Sequence, residues 1–160
     1  MYVVYYWREN VYWIKEMNLS EHFTLEELTY SDIAKRHSLD NNPDQYIISN
    51  LTRLAKLLED VRTLFNQSIR INSGYRSVMV NSLLGSKPTS QHCIGCAADI
   101  HIDGLTPDQI VKRIMNSTIQ YDQLIREFDS WVHISVPNGE GYVPRKNALI
   151  IDKTGTRSYT

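Results

Sequence analysis

From Ile47 to Phe65, apolar residues return at three- and four-residue steps: Ile47, Ile48, Leu51, Leu54, Leu57, Leu58, Val61, Leu64 and Phe65. That period places them on one face of a long helix, and such a face must be buried against another layer. The helix is expected to open at Asn42 with Pro43 in its first turn and to end near Asn66. The layer that covers it should come from short alternating segments. Ile69 and Ile71 alternate with Arg70 and Asn72 within Ser68 to Tyr75, and Ala97 to Asp103, Gln123 to Phe128 and Trp131 to Val136 read as further strands. A last hairpin should cross Lys153-Thr154-Gly155. Three shorter helices are expected. One runs from a capping box at Thr24-Leu25-Glu26-Glu27 toward Ala34, one spans Val78 to Leu84 and stops at Gly85, and one follows Thr106-Pro107-Asp108-Gln109 with Ile110, Val111 and Ile114 turned inward. His37 to Asn42 reads as a polar connection, and Ser86 to Ser90 as a loop that delivers His92. Helices dominate the first half and strands the second. The expected fold is a single α+β domain, an antiparallel sheet with helices packed on one side.

A chain of 160 residues is long enough for one real core. Its formal net charge of -1 gives no electrostatic reason to expect nucleic acid as a partner. No run approaches the roughly 18 apolar residues of a membrane span. The N-terminus, Met1-Tyr2-Val3-Val4-Tyr5-Tyr6-Trp7, is apolar and aromatic, but Arg8 and Glu9 interrupt it at once. It lacks the basic start, sustained apolar stretch and small-residue cleavage site of a signal peptide. Residues 1–16 are therefore set apart as an extension, either preceding a true start at Met17 or adding an element that packs its aromatics on a domain spanning 17–160.

The residues able to do chemistry concentrate in two places. One is Ser90-Gln91-His92-Cys93-Ile94-Gly95-Cys96-Ala97-Ala98-Asp99, the other Trp131-Val132-His133. On the Ala97–Asp103 strand, Asp99, His101 and Asp103 fall on one face, which must meet solvent, a cleft or a metal because unpaired buried charge is too costly. On the later strand, Val132, Ile134 and Val136 form an apolar back, while Trp131, His133 and Ser135 face the other way, toward solvent or a cleft floor. Two imidazoles and a carboxylate can hold zinc and leave a fourth position open for water, the catalytic arrangement. Cys93 and Cys96 could be a redox pair or half of a zinc clamp, but no second pair completes such a clamp; two reduced, small apolar residues are expected.

The run His-x-x-Gly-x-Ala-x-Asp followed by Trp-x-His resembles the zinc D-Ala-D-Ala carboxypeptidases and related murein endopeptidases of the M15 family. The resemblance extends to Ser73-Gly74-Tyr75-Arg76-Ser77, with Asn81 and Gly85 after it, and covers roughly Leu19 to Val136. It implies a zinc ion held by His92, Asp99 and His133, with His101 and Asp103 turned to solvent or supporting the ligands. It also implies Arg76 as the group that steadies the carbonyl oxygen or the substrate carboxylate, and Ser90 as a substrate contact. The implied fold is that of these peptidases and of hedgehog signalling domains.

The chain departs from the family's commonest pattern at the general base, where Ser130 stands three residues before the last histidine. If the two strands turn through Asp129-Ser130-Trp131, Glu127 lies directly opposite His133, with Cβ atoms about 5 Å apart. A glutamate upstream of the last histidine in hedgehog domains lends Glu127 support, so it is preferred as base, with Asp129 the alternative. The resemblance implies a monomeric, endolysin-like zinc metallopeptidase, similar to compact members found in bacteriophages, that hydrolyses amide bonds in peptidoglycan stem peptides. The competing expectation is a non-catalytic zinc module that binds cell wall or rides on a virion.

Overall fold

The structure is a computed structural model that describes residues 17–159. The expectations for the extension 1–16 lie outside the described residues. The elements run α1 (Leu25–Thr29), α2 (Asp32–His37), α3 (Gln45–Phe65), β1 (Arg70–Ser73), α4 (Val78–Leu83), a 3₁₀ turn (Gln91–Ile94), β2 (Ala97–His101), α5 (Pro107–Met115), β3 (Gln123–Glu127), β4 (Trp131–Ser135), β5 (Asn147–Asp152) and β6 (Gly155–Ser158). Six strands form one sheet in the order β1-β2-β4-β3-β5-β6. Every pairing is antiparallel except β3 with β5, because the connection after β4 steps across β3 and lays β5 on its far side. The fold is α+β, as the order of patterns predicts.

The long helix is α3, and its buried face carries Ile47, Leu51, Leu54, Leu57, Leu58, Val61 and Phe65. It meets the sheet side formed by Ala98 and Ile100 of β2, Leu124 of β3, and Val132 and Ile134 of β4, with Ile110, Val111 and Ile114 of α5 in the same core. Burying a Leu or Ile side chain contributes about 1.5–3 kcal/mol, so this layer is the main source of stability. Its opposite sheet side is left for the polar residues of β2 and β4. No helix among the described residues is long and apolar enough to cross a membrane.

Two helix boundaries differ from expectation, each for a local reason. α3 starts two residues later, because the Asp44 carboxylate accepts from Ile47 N at 2.9 Å and so takes the capping role. Asn42 precedes proline, which favours extended backbone there. The helix toward Ala34 is two helices, since Ser31 accepts from Ala34 N at 3.1 Å and starts α2 anew after an extended Tyr30. Thr24 makes only half of its capping box, accepting from Glu27 N at 3.1 Å. The box at Thr106 and Gln109 is complete.

Candidate metal centre

Asp99 and His133 are direct cross-strand partners on β2 and β4, and Ile125 of β3 lies next in the same row. Alternation puts all three on the sheet side opposite the core helices. His92 reaches this side from the 3₁₀ turn, which Gly95 ends at φ 70° and Asn50 of α3 braces by donating to Ile94 O at 2.8 Å. A side chain at Gly95 would be strained and would meet Ile47 at 3.0 Å, so glycine is required where the chain swings into β2.

Three atoms converge. His92 Nε2, Asp99 Oδ1 and His133 Nδ1 are 3.2 Å from one another along every edge. Tetrahedral bonds of about 2.0 Å would give edges of about 3.3 Å. His92 Nδ1 donates to Gly74 O at 2.7 Å, which turns the Nε2 lone pair toward the other two atoms. All three residues are buried, at 2%, 7% and 7% exposure. Burial alone would push the Asp99 carboxyl up, but the two histidines outweigh it and hold its pKa well below the ordinary range. The donor set, two imidazole nitrogens and one carboxylate oxygen, fits a divalent cation. His133 Nε2 is buried without a hydrogen-bond partner among the described residues, so nothing there competes for the opposite orientation of the ring.

The remaining predicted residues fall into two groups. Glu127 shares the sheet side of His133 but is not directly opposite it: Ile125 is, and Glu127 pairs with Trp131. The turn comprises Phe128, Asp129 and Ser130, not Asp129-Ser130-Trp131. Ser130 N donates to Glu127 O at 2.9 Å, and Phe128 and Asp129 adopt φ of 49° and 52°. Because the register differs by two residues, Glu127 keeps its face. Burial pushes its carboxyl up, the Asp99 charge adds to that, and His133, the Trp131 indole and Arg76 pull it back in part. Asp129 is exposed and pairs with Arg126 Nε at 3.0 Å. Arg126 also holds Asp108 of α5 at 2.9 Å, so this pair belongs to the core-helix side.

Arg76 follows Gly74 and is anchored by its backbone N donating to His92 O at 3.2 Å. Its Nε is buried without a partner among the described residues. Ser90 caps the 3₁₀ turn, its hydroxyl accepting from His92 N at 3.4 Å. His101 stays outside the cluster, 3.4 Å from exposed Asp103. Cys93 and Cys96 are both free thiols. Cys93 neighbours Arg76 and Cys96 neighbours Arg53, and burial pushes both pKa values up, which suits inert thiols better than a redox pair.

Two contributors escape a reading of side-chain types. Gly74 holds His92 through its carbonyl, and a Cβ on it would lie 2.2 Å from Leu28 O. Trp131 donates its indole N–H to Glu127 Oε2 at 3.1 Å. The first acts through backbone and the second through a register that sequence alone does not fix.

A family model described as Peptidase M15 matches residues 21–135, well over half of the chain. No curated protein matches the chain.

Proposed function

Since the chain belongs to the peptidase M15 family, we propose that it is a zinc-dependent hydrolase of amide bonds in peptidoglycan stem peptides, either a D-Ala-D-Ala carboxypeptidase or an endolysin-like murein endopeptidase. The observation that carries this reading is the triangle of His92 Nε2, Asp99 Oδ1 and His133 Nδ1, with the Glu127 carboxylate on the same side of the sheet. His92, Asp99 and His133 would hold the zinc. Bound there, zinc would supply Lewis acidity toward the scissile carbonyl and toward water.

Glu127 accepts a proton from the attacking water and passes it to the amide nitrogen as the carbon–nitrogen bond breaks, so the amine leaves neutral. Its upward-shifted carboxyl suits that return of the proton. Arg76 donates to the oxygen on which negative charge develops, or to a substrate carboxylate. Ser90 flanks the peptide from the turn that carries His92. A non-catalytic wall-binding module needs no carboxylate on the face of the two histidines, and Glu127 on that face therefore favours hydrolysis. Chelation of the metal should abolish release of stem-peptide fragments from purified muropeptides, and added zinc should restore it. Release that persists after full chelation contradicts the proposal.

A further inference from the structure

We propose that Trp131 is a positioning residue for Glu127: its indole N–H fixes one carboxylate oxygen so that the other stays free to exchange the proton. The inference rests on the peptidase reading above. Trp131 and Glu127 face each other at the mouth of the β3–β4 hairpin. Trp131 Nε1 donates to Oε2 at 3.1 Å, and Oε1 takes no hydrogen bond from any described residue. A glutamate side chain samples many rotamers when untethered, and a displaced proton acceptor is a poor one.

The indole is itself held. Phe128 packs against it, with ring centroids 6.4 Å apart and planes tilted by 45°. Phe128 N donates to Ile151 O on β5 at 2.8 Å, which pins the turn to the neighbouring strand. The same turn keeps Glu127 in the face of His133 and sends Asp129 to Arg126. With Ser130 at the family's usual base position, the carboxylate comes from the opposite strand, and Trp131 bridges back to it.

The test is Trp131→Phe, alone and combined with Glu127→Gln, in zinc-loaded protein acting on a muropeptide. The single variant should keep its zinc and its KM within about twofold while kcat falls about 10- to 100-fold. On the Glu127→Gln background the same change should cost nothing further, because residues acting as one unit are non-additive. An equal loss in both backgrounds, or a raised KM with kcat intact, overturns the proposal and makes Trp131 a structural or substrate-stacking residue. A second readout needs neither metal nor turnover. The Trp131 indole ¹H–¹⁵N resonance should move when Glu127 becomes Gln, and an unmoved resonance also overturns the proposal. Should the wild type cleave nothing, the peptidase reading fails, and the indole resonance alone decides whether Trp131 holds Glu127.

Discussion

Among single residues, His92 Nε2, Asp99 Oδ1 and His133 Nδ1 converge, while His101 and Asp129 stay apart from them. His92→Ala and His133→Ala should each lose stoichiometric zinc in metal analysis, because each removes one edge-sharing donor from a three-donor set. Replacing both Cys93 and Cys96 with Ser should leave zinc content unchanged; a large loss would make the cysteines the clamp. Glu127→Gln should keep zinc and lower kcat about 10²–10⁴-fold, while Asp129→Asn changes it little. Loss of zinc in Glu127→Gln would instead make that carboxylate a support for the metal ligands. The candidate cluster was legible because its side chains are the chemistry: His92, Asp99 and His133 offer two imidazoles and a carboxylate, and the structure brings those three together. What the sequence hides is the atom. That His133 offers Nδ1 and His92 offers Nε2 follows from ring orientations set by the 3₁₀ turn and the β4 register.

At the scale of elements, the strand after α3 shows how backbone positions a side chain. Ile71 and Ser73 pair with Ile100 and Asp99, leaving Asn72 as an extra residue. This bulge delivers Gly74 between α1 and His92. A Cβ on Gly74 would meet Leu28 backbone, which also accepts from Tyr75 N at 2.7 Å, so neither side can give easily. Gly74→Ala should therefore cost about 1–3 kcal/mol of stability, read as a lowered Tm, and weaken zinc binding by displacing the carbonyl that orients His92. An unchanged Tm with unchanged zinc affinity would show that α1 moves aside freely. The long helix, the Thr106 capping box and the β5–β6 hairpin were legible from periodicity and turn residues. The β3–β4 register was not. Its turn puts Phe128, which carries a Cβ, at positive φ, where glycine or asparagine is the usual signal. Glu127 nevertheless lies on the sheet side of His133, since a two-residue shift conserves the face.

For the whole molecule, the sheet separates two tasks: one side packs on α3 and α5, and the other carries the His92-Asp99-His133 cluster. A polar clamp around the buried Asp122 ties the cluster to the segment before β5. Asp122 is 3% exposed and accepts from Arg145 Nε at 3.0 Å, from Arg145 N at 3.0 Å and from Gln91 Nε2 at 3.0 Å, one residue before His92. Burial would raise the Asp122 carboxyl, but the Arg145 and Gln91 bonds outweigh it and lower its pKa. A depressed folded pKa contributes stability that is present above the unfolded value, about 3.9, and lost as pH falls through the folded value. Asp122→Asn should therefore lower Tm most above about pH 4, with the gap to wild type narrowing in acid; a gap that widens in acid would contradict the sign.

His92, Asp99, His133 and Glu127 are proposed to cut a peptide bond together. Mass spectrometry of purified muropeptides incubated with zinc-loaded wild type and with zinc-loaded Glu127→Gln decides this. The wild type should yield a stem-peptide fragment of defined mass, either a released D-alanine or a split cross-link, and Glu127→Gln almost none. Intact muropeptides from both proteins, each carrying one zinc per chain, would contradict it.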